Sequence, residues 1–340
     1  MPIASLDVHV AGGLVRLLTS GVPRVEGATL AARASALEEA AGPALMALCR
    51  EPRALAGTVT AVFAEADSPD ADGALLLFDD AGPMAACGHA LLGATAVALA
   101  RGLLLPRHPG RVRIETLSGL IDLRAPESPL SPSGPWTLSY LARQARVLRA
   151  NQAVVIGRRT VHVDVVWTGA GVSAIVDAEA AGVPLVAARQ LELQRGGLDV
   201  HRHLNEAVRL VHPIRGSRVE TDAVVFIGVA PEHGAEVMSA TVTSDGLVER
   251  SPCAESTVAV ATVLFAMGAL PAGQPLIHQG LVGTRLRATA VPRMGEGSDV
   301  DLDVEVEGQT WPIGEHTFVF QPDDPLVDGV EWRPPRALHP

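Results

Sequence analysis

The 340-residue chain is 48% hydrophobic and only 19% charged, which supports large buried cores and argues against disorder. Its formal net charge of −11 removes the basic footprint that nucleic acid or anionic lipid requires. All 27 cationic side chains are arginine, so a lysine Schiff base to pyridoxal phosphate, a lysine general base and a P-loop lysine are excluded. In chain order, runs rich in valine, threonine and leucine predict strands at Leu14–Leu18, Thr58–Phe63, Ala74–Phe78, Arg111–Glu115, Thr137–Leu141, Thr160–Trp167 and Ser173–Val176. Further strands are predicted at Ala223–Gly228, Val237–Val242, Leu286–Val291, Val300–Val306 and Thr317–Phe320. Helical patterns fall at Thr29–Glu39, His89–Arg101, Leu185–Gln194, Leu204–Val211 and Glu255–Met267. Pro106–Gly110 and Pro126–Pro135 read as proline-dense loops, and Arg333–Pro340 as a tail.

Three cysteines make no disulfide framework. The first residues lack the basic and apolar regions of a signal peptide, and the longest apolar helical run, Ala90–Ala100, is too short to span a bilayer. A cytoplasmic protein is therefore expected.

An internal repeat is the most informative feature. Cys87–Pro106 lies over Cys253–Ala272 without a gap, with identities at Cys87/Cys253, Val97/Val263, Ala100/Ala266, Gly102/Gly268 and Leu104/Leu270. Each copy follows a strand and short turn, opens on a cysteine, runs through an apolar helix and reaches a glycine suited to a helix C-terminus. Two halves of one design follow, each offering a cysteine at a helix start. The outward-pointing amides there favour thiolate and can also hold a carboxylate, at Gly88–His89 in one copy and Ala254–Glu255 in the other. Two such ends facing across a cleft would suit cofactor-free inversion at an amino-acid Cα: one sulfur removes the proton, and the other returns one to the opposite face. Taken singly, a cysteine opening an apolar helix is a packing residue more often than a chemical one, and Cys49 is read that way.

Several motifs then resemble, in order, those of the proline racemase family, which includes hydroxyproline epimerases. Met84-Ala85-Ala86-Cys87-Gly88-His89 resembles the first cysteine motif and Arg250-Ser251-Pro252-Cys253 the second. Asp7-Val8-His9 with Gly12 and Arg16 resembles the opening motif, and Gly314–Phe318 through Gln321–Leu326 the closing strand and turn. Ala174–Asp177 and Val282–Thr284 fit intermediate blocks. The resemblance implies an α/β (α+β) fold of two pseudo-symmetric diaminopimelate-epimerase-like domains, each a central helix wrapped by a mostly antiparallel sheet. Boundaries are expected at 1–170, joined by the tail 329–340, and at 171–328.

By the same resemblance Cys87 and Cys253 are the acid/base pair, the amides of Gly88 and His89 hold the substrate carboxylate, and Glu249 stands where an aspartate binds the ring amine. No cofactor and no metal are implied. The implied partner is a small imino acid, 4-hydroxyproline ahead of proline, with no nucleic acid and no membrane; a homodimer is the assembly to test. The sequence departs from the family pattern around the site. Ala254-Glu255-Ser256 replaces Gly-Thr-Gly, Glu249 is one methylene longer than aspartate, Val172-Ser173 replaces Phe-Tyr, Val10 replaces threonine and Gly13-Leu14 replaces Glu-Pro. Glu255 reads either as a first-turn acid pointing outward or as a group that alters carboxylate binding. A local Cys87/His89 pair ranks below the two-thiol reading, because i,i+2 residues on a helix do not face each other.

Two other classes compete. His201-x-His203 with Glu206 and His212 could mark a metal hydrolase, though without the His-Glu-x-x-His spacing. A non-catalytic binding protein would also keep the cysteines while changing the residues around them.

Overall fold

The computed structural model describes residues 2–131, 133–231, 234–293 and 301–330. The chain forms two units, one running to Tyr140 and resuming at Gly308, the other built from Leu141 to Glu307.

In the first unit the strand order is the far end of Leu302–Phe318, then Ile3–Val10, Gly13–Ser20, Val59–Ala64, Gly73–Phe78, Arg111–Thr116, Gly119–Arg124 and the start of Trp136–Ile156. Neighbours are antiparallel except at two steps, Gly13–Ser20 beside Val59–Ala64 and Gly73–Phe78 beside Arg111–Thr116. A parallel step needs a crossover, and here each is made by a helix: α1 (Leu30–Ala47) and α2 (Gly88–Ala100). Eleven of the thirteen residues of α2, Gly88 to Ala98, are buried. A helix without a polar face must be enclosed, and α2 lies against Ile3–Val10, Gly13–Ser20 and Val59–Ala64. Its fully buried Leu92 and Val97 each stabilise the unit by about 1.5–3 kcal/mol.

The second unit repeats the pattern. Its order is the end of Trp136–Ile156, then Arg159–Trp167, Val172–Asp177, Ala223–Val229, Val237–Thr243, Pro275–Gln279, Arg285–Pro292 and the start of Leu302–Phe318. The parallel steps again fall third-to-fourth and fifth-to-sixth. The helices α3 (Ala178–Ala181) and α4 (Gln190–Ala207) span the first step, and α5 (Ala254–Ala266) spans the second. The α5 helix has the length of α2 at the offset of the sequence repeat. Both end alike, with left-handed Gly102 (φ 66°) and Gly268 (φ 73°) and matching turn bonds from Leu103 N–H to Ala98 O and Ala269 N–H to Leu264 O, each 2.8 Å.

The chain therefore changes unit inside two long strands, at 140/141 and 307/308, and not at the expected 170/171 and 328/329. The charged stretch Leu141–Ile156 hides its strand pattern behind register shifts near Val147–Gln152, where Asn151 has φ 54°. Gly308, Pro312 and Gly314 split Leu302–Phe318 into two apparent strands. Pro312 sits at a bulge, where Asp7 pairs with Gly314 and Val8 with Pro312. The tail expected over Arg333–Pro340 and the expected strand start at Val300 lie outside the described residues. Among the described residues, no helix is long and apolar enough to cross a membrane.

Candidate functional site

Each unit sets one cysteine at the N-cap of its central helix. In the first, Cys87 is extended (φ −157°, ψ 116°), and its carbonyl accepts the first helical bond from Leu91 N–H at 2.9 Å. Cys87 is 6% exposed, and its Sγ lies 3.3 Å from His89 Nδ1 and 3.5 Å from Nε2. Cys87 and His89 therefore do meet, against the spacing argument that ranked their pairing low. The i,i+2 rule applies to helical residues, whereas an extended N-cap sends its side chain over the first turn. His89 is buried, and its ring lies on Gly13: a Cβ there would stand 2.8 Å from His89 Cγ and Cδ2. Gly13 therefore makes room for His89, a coupling that only the replacement of Glu-Pro by Gly13-Leu14 signals in the sequence.

In the second unit, Cys253 is half-buried with φ 56° and ψ 130°, a conformation costing a non-glycine residue of order 1–3 kcal/mol. Its surroundings fix it there. Cys253 N–H donates to Ser251 Oγ at 3.0 Å, and its carbonyl accepts from Thr257 Oγ1 at 2.7 Å and Thr257 N–H at 2.9 Å. Because Thr257 donates to that carbonyl, it accepts from His278 Nδ1 at 2.8 Å, which sets the His278 tautomer. Burial pushes His278 down to about 3, so it is neutral. Gly280 supports the same turn: a Cβ there would stand 2.6 Å from Pro252 N.

Glu255 turns back toward the cysteine, with Oε2 3.5 Å from Cys253 Sγ, so the outward-pointing reading does not describe it. Burial first, then the Glu255 and Glu249 carboxylates, push the Cys253 thiol well above its usual range, with the nearby Ser256 opposing them. Ser256 Oγ in turn accepts from Thr241 Oγ1 at 2.9 Å. Glu249 follows the bridge between Val242 and Val248, with its N–H on Thr241 O at 2.9 Å. Burial, then Glu255 and Asp245 against the opposing Arg250, raise Glu249 to about 7. Ala254 is fully buried at the first helical position. Gly88, His89 and Cys87 thus form one cluster, and Glu249, Cys253, Ala254 and Glu255 another. Sequence reasoning overlooked Thr241, Thr257, His278 and Gly280 and gave no supporting role to Ser251 or Gly13; these residues brace the two clusters through hydroxyl and backbone contacts or by leaving room.

Asp7 and Arg16 of the opening motif make contacts within the first unit. Arg16 pairs with Asp7 across adjacent strands (Nη2–Oδ2 2.7 Å), donates to Leu48 O at 2.6 Å and stacks 4.2 Å from the Phe318 ring centroid. Cys49 bonds Thr60 Oγ1 at 3.2 Å, and burial raises it to about 11. Among the described residues, no group of three His, Cys, Asp or Glu side chains is arranged to hold a metal. His201 binds Val242 O at 3.1 Å while His212 packs on Trp167, 4.4 Å between ring centroids. An open cavity of about 970 Å³ in the first unit is lined by Arg33, Asp67, Asp72 and Arg107, whose charges pair as Arg33–Asp67 and Arg107–Asp72, and it includes none of the expected site residues.

The family model described as proline racemase matches residues 5–331. A 4-hydroxyproline 2-epimerase of Ruegeria pomeroyi is 28% identical over 331 residues, covering 96% of this chain and 97% of the relative. A proline racemase of Acetoanaerobium sticklandii is 24% identical over 331 residues, with coverage of 96% and 97%. The crystal structure of a hydroxyproline epimerase from Agrobacterium vitis with bound trans-4-hydroxy-L-proline superposes with a TM-score of 0.80 at 22% identity, covering 97% of this chain and 96% of that one. That likeness is one of fold, and it is the diaminopimelate-epimerase-like fold the sequence led us to expect.

Proposed function

The chain belongs to the proline racemase family, a family of racemase and epimerase isomerases, and on that footing we propose that it is a cofactor-independent cytoplasmic 4-hydroxyproline 2-epimerase, with proline as the second-choice substrate. The observation that carries the reading is the repeat itself: the same crossover of the same strand pattern opens, in each unit, on a cysteine N-cap. In this reading Cys87 and Cys253 act on opposite faces of one Cα. One sulfur takes the proton, leaving its electron pair on Cα beside the substrate carboxylate, and the other sulfur delivers a proton. The amides of Gly88 and His89, with those of Ala254 and Glu255, hold the carboxylate where the helix ends favour negative charge. Glu249, in its ionised form, takes the ring ammonium.

The test is proton NMR of the reduced protein in D₂O with trans-4-hydroxy-L-proline, then L-proline and other imino and amino acids. Loss of the Cα signal from 4-hydroxyproline, with the epimer appearing, is the expected result; no loss from any of them refutes the epimerase reading. A second reading, binding without turnover, draws on Glu255 beside the second sulfur. It predicts that a ligand raises Tm while every Cα proton stays in place.

A further inference from the structure

The two helix starts are equivalent by repeat, yet the residue two positions beyond the cysteine is a base in one and an acid in the other. His89 lies 3.3 Å from Cys87 Sγ and Glu255 lies 3.5 Å from Cys253 Sγ. An imidazole nitrogen can accept a thiol proton and leave a thiolate paired with imidazolium. A carboxylate beside sulfur does the reverse, since ionising the thiol would set two negative charges side by side. Next to this pair, Ser256 Oγ accepts from Thr241 Oγ1 at 2.9 Å and is turned toward the strand. The Cys253 sulfur is the donor to Glu255 Oε2, a contact that exists only while the sulfur carries its proton.

We propose that Glu255 is a positioning residue that holds Cys253 in the protonated, proton-donating form, so that the resting enzyme has a fixed division of labour: Cys87 takes the proton from Cα and Cys253 supplies the new one. This rests on the two-thiol reading above and deepens it. The protons balance without any further reagent. The Cα proton passes to Cys87 Sγ, the bonding pair stays on Cα, and the Cys253 S–H proton then joins that pair from the other face. Water afterwards returns a proton to Cys253 and removes one from Cys87. The charged groups around Cys253 are Glu255 on α5 and Glu249 on the preceding segment, with Arg250 and Asp245 acting on Glu249. Glu249 is distinguished from Glu255 by lacking a bond to the sulfur, so the two carboxylates separate by substitution.

The experiment reads the thiol without substrate. Alkylation of Cys253 by iodoacetamide is followed across pH by peptide mass spectrometry in the wild-type protein, Glu255→Gln and Glu255→Asp. Glu255→Gln should move the midpoint of alkylation down by about one pH unit, a tenfold faster reaction on the rising limb. Glu255→Asp, which keeps the charge, should stay near wild type. Glu255→Thr serves if the glutamine variant does not fold, and should behave as the glutamine does. An unchanged midpoint in the charge-removed variant overturns the proposal. Because no turnover is involved, that result is separate from a failure of Cα exchange, which would refute the epimerase reading.

Discussion

At the first helix start an extended cysteine meets a buried imidazole that rests on Gly13; at the second a cysteine in left-handed backbone meets a carboxylate and is pinned by three hydrogen bonds to hydroxyl and amide groups. The strand order and the helix length are shared, so neither difference comes from the architecture. Repetition supplies two equivalent places for a thiol, and the first turn of each helix then decides its acid–base character. The same contrast explains why the two sites need different supports. An extended N-cap is unstrained, whereas Cys253 carries a backbone cost of order 1–3 kcal/mol that Ser251 and Thr257 must offset.

Four substitutions sharpen or break that comparison. Gly13→Val should be the most damaging, because its side chain must displace the His89 ring; a loss of about 3 kcal/mol in urea unfolding is expected, together with slower turnover. A variant as stable as wild type would show that His89 is free to move. Glu249→Gln tests the second site through pH. Glu249 is raised to about 7 in the folded protein, so between its ordinary value of 4.5 and about 7 the native state holds more protons than the unfolded one, and stability falls as pH rises. The glutamine variant should lack that decline and exceed wild type by up to about 3 kcal/mol above pH 7. It should also bind the substrate amine more weakly; parallel stability curves would contradict the assignment. Thr257→Val removes the hydroxyl from Cys253 O and leaves the buried His278 Nδ1–H without a partner, costing about 2 kcal/mol by the same unfolding assay. The same variant should slow turnover through KM and kcat together if it releases the Cys253 backbone. Cys49→Ala, the control thiol, should cost only about 1 kcal/mol and leave Cα exchange at the wild-type rate.

Much of this was legible in the sequence, and the misses have identifiable physics. The gapless repeat foretold two equal helices, since a cysteine, an apolar run and a terminal glycine is a local pattern. Ile3–Val10 escaped as a strand because most of its residues are buried, on both faces, which removes the alternation that marks a half-exposed strand. The helical pattern is interrupted between Gln194 and Leu204, around Gly196-Gly197, whereas α4 runs unbroken over Gln190–Ala207. In the fold those glycines let the helix approach its sheet, and a Cβ on Gly197 would stand 2.5 Å from Val242 Cβ. At the site, the cysteines and Glu249 could be named from motifs. The contacts of Glu255 with Cys253 and of His89 with Cys87 could not, because both depend on the N-cap backbone angles, extended at Cys87 and at positive φ at Cys253, which the motifs do not spell out.

The central claim is that the two thiols divide one proton transfer between them. The most direct test compares deuterium incorporation at Cα of trans-4-hydroxy-L-proline in D₂O by the wild-type protein, Cys87→Ser and Cys253→Ser. The account predicts that each substitution slows epimerisation by about 10²–10⁴-fold, with the folded state intact by circular dichroism. Full epimerisation by either single variant would contradict it.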